Sequence, residues 1–272
     1  MTSVTRSKDE AAAYDAAQRV VETHRRLSSF LRVGMRLPEI DAFVGKTLDD
    51  LGCKSCFYRY SPGRMPPFPS QACLSVNDCV VHGTAGYYPK PLQRGDLLKI
   101  DIGVWYRGWI GDAAWTYSFG EPEGRVKDLL DAGKRGLELG IQQLRPGNRW
   151  IEWARALQDH VEGECGLHLV RGLGGHGIGR KLHAAPWISN VVPSFPGEWA
   201  DANVEIRPGA IVAVEPMLAV GTGRTKNARN AWPIYSADGS MTAHFEHDVY
   251  VADDGPRILS EGLEQVPDII EA

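Results

Sequence analysis

The chain has 272 residues, 43% hydrophobic and 24% charged, with 30 Gly and 17 Pro: the make-up of a turn-rich globular protein, neither disordered nor fibrous. Lys plus Arg number 30 and Asp plus Glu 34, for a formal charge of −4; no cationic tail is present to neutralise phosphates, so direct nucleic-acid binding is not expected. The amino-terminal stretch has no apolar signal core, and no run of about 18 apolar residues occurs, so a cytoplasmic location without membrane association is expected.

Residues 7–33 predict an amphipathic helix. Ser7 and Glu10 have capping-box spacing, Ala13, Ala17, Val20, His24, Leu27 and Leu31 repeat at helical intervals, and Gly34 can close the turn. A second helix is predicted from near Pro38, with Ile40, Phe43, Val44, Leu48 and Leu51 on one face and Gly52 after it. Five cysteines follow or are scattered later (Cys53, Cys56, Cys73, Cys79, Cys165). Cys73 and Cys79 make a poor second pair for a tetrahedral zinc site, and buried free thiols are expected instead.

The text then repeats. Leu31-Arg32-Val33-Gly34 resembles Leu144-Arg145-Pro146-Gly147, and the segment 94–101, ending in Asp101, aligns with 208–215, ending in Glu215, at nearly the same separation. A single domain spanning 1–272 is therefore expected, built of two related halves, about 8–122 and 123–260, each with two helices followed by strands and sharing one sheet.

Asp101 closes the apolar run 97–100, and a second strand over 110–119 follows a turn at Arg107-Gly108. An even loop puts Asp101 and Asp112 on one face, opposite or one diagonal apart. Glu215 occupies the equivalent strand of the second half, and Glu246 lies in an apolar stretch, 244–251, able to pair with it. Four carboxylates thus converge. Burying them together demands a counter-charge, and the strands offer few nearby cations, so a pair of divalent ions is expected. Such a pair holds and activates a water as nucleophile.

Between these acids runs Gly172-Leu173-Gly174-Gly175-His176-Gly177-Ile178-Gly179-Arg180-Lys181-Leu182-His183. Its glycine spacing fits a dinucleotide fingerprint in form only, because more glycine follows where a helix would have to open. Glycines flanking His176 instead let backbone approach a site closely and suit that imidazole to complete a metal shell. His183 could face the same cavity.

Taken in order, Ser75-Val76-Asn77-Asp78 with His82-Gly83, Asp101 and Asp112, Gly175-His176-Gly177-Ile178-Gly179 with His183, Val214-Glu215-Pro216-Met217 and Phe245-Glu246-His247 resemble the type I methionine aminopeptidases. The resemblance covers about residues 8 to 260 and implies an α+β pita-bread fold: two pseudo-symmetric halves sharing a curved antiparallel sheet, with helices on the outer face. It implies Asp101, Asp112, His176, Glu215 and Glu246 as ligands of two divalent ions, with Asp112 and Glu246 bridging and Glu215 also transferring a proton. His82 and His183 would contact the scissile amide and its tetrahedral intermediate. Cys73 and Trp232 match positions of the side-chain pocket, and Leu182 stands where an aromatic residue is common.

The implied activity is removal of the N-terminal methionine from peptides and nascent chains bearing a free amine, with proximity to the ribosome. An oxygen-rich shell with one imidazole suits Co, Mn, Fe or Zn alike. The chain departs from the family pattern at Ile110, at His183-Ala184-Ala185-Pro186 and in the long segment from Cys56 to Cys73. An aminopeptidase of the X-Pro type, or a non-catalytic peptide- or ribosome-binding relative, would share the fold.

Overall fold

The computed structural model describes residues 7–63 and 65–271; the first six residues of the stretch inspected for a signal core lie outside it. Helix α1 (Lys8–Phe30) begins with the expected capping box: Ser7 Oγ accepts from the Glu10 amide and the Glu10 carboxylate accepts from the Ser7 amide, both at 3.2 Å. It stops short of residue 33. Leu31 is already extended, and Gly34, at φ +92°, serves the turn rather than the cap. Helix α2 (Leu37–Asp50) carries Pro38 in its first turn, where a missing N–H costs nothing.

Strands β1 (Cys73–Val76), β3 (Leu97–Tyr106) and β4 (Trp109–Phe119) pair in the first sheet, while β2 (Cys79–Val81) pairs with Ile234–Ser236 in another. Strand β3 runs five residues beyond Asp101, so that acid sits mid-strand with partners on both sides, Cys73 in β1 and Ala114 in β4. Arg107 and Gly108, at φ +49° and +82°, form the two-residue turn, and the residues that can adopt such values explain why the hairpin closes there. The register sets Asp112 opposite Gly103, which makes Asp101 and Asp112 diagonal neighbours on one face.

The other face of β4 receives α1. A Cβ on Gly111 would lie 2.5 Å from the Ala17 amide nitrogen, so the helix packs directly on backbone. On the site face, a Cβ on Gly103 would meet Cys56 Sγ at 2.4 Å.

Helices α3 (Gly124–Ile141) and α4 (Trp150–Gln158) open the second part of the chain, α4 continuing as a wider turn over Asp159–Glu164. They are followed by β5 (Gly174–Gly177), β6 (Ala184–Ser189), β7 (Ile211–Val214), β8 (Met217–Ala219), β9 (Thr242–His244), β10 (His247–Ala252) and β11 (Gly255–Ile258). These pair in the order β11-β10-β7-β5-β6, while β8 pairs β9. The glycine-rich run is thus strand, with no helix opening from it.

A seam joins the two parts. Asp112 N donates to Asp248 Oδ2, Glu246 N to Ala114 O and His244 N to Thr116 Oγ1, at 2.8 to 2.9 Å. One large core of buried side chains, including Trp153, Tyr117, Phe119 and Phe245, runs beneath both. Burial of that apolar surface is the main favourable contribution to the fold. No helix among the described residues is long and apolar enough to cross a membrane.

Candidate metal centre

Asp101 and Asp112 come from the β3–β4 hairpin. Glu215 follows β7 directly and Glu246 directly precedes β10; the register of the flanking pairs, Val214 with His247 and Met217 with His244, sets these glutamates opposite one another. His176 lies in β5 opposite Ala213. Its neighbours must be glycine: a Cβ on Gly175 would stand 2.3 Å from Ala213 O, and one on Gly177 2.1 Å from Ala185 O. His176 Nδ1–H donates to Gly177 O at 3.1 Å, leaving the Nε2 lone pair free and 3.8 Å from Glu215 Oε1.

Among the described residues, two clusters have donor atoms within 4.8 Å of one another: Asp112, His176 and Glu246, and Glu215, His244 and Glu246. Glu246 belongs to both. The buried Asp101 Oδ1, Asp112 Oδ1, His244 Nε2 and Asp248 Oδ1 have no hydrogen-bond partner. Buried polar atoms are rarely left so, and orphaned oxygen and nitrogen donors around two acidic clusters fit divalent cations.

The electrostatics agree. Burial raises Asp101 to about 6 and Glu215 to about 8. Burial, then the charge of Asp101, pushes Asp112 well up; burial, then Asp112, does the same to Glu246. These carboxyls resist ionising together without a counter-charge. One buried cation is close in sequence: Lys99 lies two positions before Asp101 in β3, yet its Nζ donates to Asn77 O at 2.7 Å and burial lowers it to about 7.

Beside the acids is a cavity of about 230 Å³, space for one residue-sized group and a few waters at about 30 Å³ each. His82, His183, Cys73, Leu182 and Trp232 line it together with Asp101, Asp112, His176, Glu215 and Glu246. His82 is half-buried with φ +58°, an unfavourable conformation for a residue with a side chain, of the sort that clusters at functional sites. Burial, then the neighbouring His244 and His183, lowers it to about 4. His183 stands at the mouth, its ring centroid 4.5 Å from that of His176. Cys73 is buried opposite Asp101, and burial, then Asp101, keeps its thiol protonated.

Several further residues line the cavity without a signal in the sequence. The long segment from Cys56 to Cys73 folds back on itself, with Arg59 N on Phe68 O and Phe68 N on Tyr60 O, and supplies Phe57, Tyr60 and Phe68 to the wall. Tyr60 Oη lies 2.7 Å from His183 Nδ1. Trp232 clasps the segment through Nε1 on Pro66 O at 3.0 Å. Only tertiary contacts reveal these. His244 and Asp248 had a visible cue, since strand alternation puts both on the face of Glu246.

The model of metallopeptidase family M24 matches residues 11–253. The chain belongs to that family. This M24 metallopeptidase is 33% identical to a methionine aminopeptidase of Aquifex aeolicus, with 90% of this chain and 93% of that one covered. It is 34% identical to methionine aminopeptidase 1 of Mycobacterium tuberculosis, covering 94% of each. The solved methionine aminopeptidase of Thermotoga maritima superposes with a TM-score of 0.84 at 30% identity, over 96% of this chain and 99% of that one. A prolidase from Pyrococcus furiosus, at 17% identity and TM-score 0.71, shares the fold, with 65% of its length covered. The metallopeptidase therefore has the α+β pita-bread fold, and the resemblance drawn from its motifs is borne out.

Proposed function

We propose that this metallopeptidase removes the N-terminal methionine from peptides and nascent proteins, using two divalent ions held by Asp101, Asp112, His176, Glu215 and Glu246, with Asp112 and Glu246 shared between them. The observation that carries the reading is the junction of orphaned buried donors with a largely apolar slot. Two bound ions would receive the free amine, polarise the first peptide carbonyl and lower the pKa of the attacking water. Co, Mn, Fe and Zn all suit this donor set.

The protein's own groups do the rest. Cys73, Leu182 and Trp232, with Phe57, Tyr60 and Phe68, form a soft wall suited to a thioether side chain. A single side chain seated in this cavity of about 230 Å³ would bring the first peptide bond to the acids that line it. With Tyr60 donating to His183 Nδ1, His183 keeps its proton on Nε2 and hydrogen-bonds the carbonyl oxygen through it as negative charge develops there. His82, neutral and fixed by its backbone, hydrogen-bonds the scissile amide. Glu215 takes a proton from the attacking water and returns it to the leaving nitrogen.

The same reading makes residues 1–272 one catalytic domain of two related halves, 8–122 and 123–260. It is supported by each half providing a helix pair and two of the four acids. It also makes the enzyme cytoplasmic and active near the ribosome, where nascent amino termini emerge.

The test is release of free methionine from Met-Ala-type peptides by protein loaded with each metal in turn. Release from X-Pro peptides instead would identify an X-Pro enzyme. No hydrolysis of either, with metal bound, would identify a binding protein.

A further inference from the structure

We propose that His244 is a sixth protein ligand of this centre, its Nε2 coordinating the cation that Glu215 and Glu246 share, so that each of the two cations takes one imidazole. The proposal rests on the two-cation reading above and adds a residue to it.

His244 ends β9, and Thr116 Oγ1 grips it on both sides, accepting from His244 N at 2.9 Å and donating to His244 O at 2.7 Å. The ring is thereby held against the acids. Its Nε2 is buried and stands 3.2 Å from Glu215 Oε2 and 4.0 Å from Glu246 Oε2. Despite the shorter distance it makes no hydrogen bond, because directionality as well as proximity is required. A ring nitrogen and two carboxylate oxygens that lie within reach but do not bond one another have a common point between them for a cation. Glu215, His244 and Glu246 fulfil that condition with the same 4.8 Å closeness as Asp112, His176 and Glu246. The shared Glu246 makes the two triads halves of one centre, each with one nitrogen among oxygens.

A second imidazole alters which ions the centre prefers. Nitrogen donors favour Zn and Co over Mn and Mg, which are better served by oxygen. Removing His244 should therefore weaken zinc binding at one position more than manganese binding, and narrow the preference between them.

X-ray absorption at the zinc edge, on full-length protein carrying two zinc ions per chain by calorimetric titration, counts imidazoles. The expected result is about one per zinc in the unaltered protein, falling by half in His244→Gln and equally in His176→Gln. An unchanged count in His244→Gln, with both zinc ions retained, overturns the proposal and leaves the two-cation reading standing. Protein that binds no zinc overturns both. Should the variant fail to fold, a crystal structure of the unaltered zinc complex decides. His244 Nε2 at about 2.0–2.1 Å from zinc upholds the assignment; Nε2 turned to a water or a carboxylate oxygen ends it.

Discussion

The backbone amide of Asp112 donates to Oδ2 of Asp248 at 2.8 Å, so an acid of the first part of the chain is held in place by an acid of the second. Asp248 is fully buried, burial pushes its carboxyl well above the usual range, and its Oδ1 has no partner. Asp248→Ala would strand the Asp112 amide and cost about 1–3 kcal/mol. Asp248→Asn keeps an acceptor and should cost much less. Chemical denaturation of the metal-free variants checks this; equal losses would mean the bond does not position the strand.

Asp112→Asn and Glu246→Gln should each lower kcat/KM for a Met-Ala peptide by more than about 10²-fold, on the scale of losses when key catalytic groups are removed. His82→Ala should slow turnover while leaving metal stoichiometry intact. Near-full turnover in either carboxylate variant, or metal loss in His82→Ala, contradicts the assigned roles.

Tyr60→Phe removes the hydroxyl that lies 2.7 Å from His183 Nδ1. One such bond contributes about 0.5–1.5 kcal/mol, so a roughly 2- to 10-fold fall in kcat is expected, with metal content unchanged. A variant with altered KM only would place Tyr60 in substrate binding alone.

The metal-free protein should lose stability as pH rises from about 6.5 to 8. Folding raises Glu215 from 4.5 to about 8 and raises Asp112 and Glu246 strongly, all through burial first. These groups bind protons more tightly when folded, so their contribution is complete below their unfolded values and is lost as pH rises through the folded ones. The slope is at most about 1.4 kcal/mol per pH unit per carboxyl. Buried His24 and His247, lowered by burial from 6.5 to about 4, act oppositely, their contribution present above 6.5 and lost as pH falls toward 4. Saturating metal should reverse the upper limb, because it binds deprotonated ligands. Scanning calorimetry with and without chelator reads both; a metal-free Tm that climbs from pH 6.5 to 8 would refute the account.

Much of this is legible in the sequence. The hairpin at Arg107-Gly108 follows from turn chemistry, and the placement of Asp101 and Asp112 on one face, opposite or one diagonal apart, follows from loop parity; the observed register makes it the diagonal. His176 announces itself through glycines that close backbone contact requires. The wall of the slot was not legible, since Tyr60 and Phe68 sit in a segment without periodicity and acquire their places from Trp232, far away in the chain. Helix α1 ends at Phe30, short of residue 33, because Gly34 marks the turn and not the last helical residue.

The seam bonds Asp112 to Asp248 and Ala114 to Glu246, residues separated by most of the second part of the chain. During synthesis, the cation nest is therefore incomplete until the penultimate stretch has been made and has docked. On the proposed metal assignment, ion capture would be a late maturation event, and an abandoned or half-built polypeptide would be inert toward the amino termini around it.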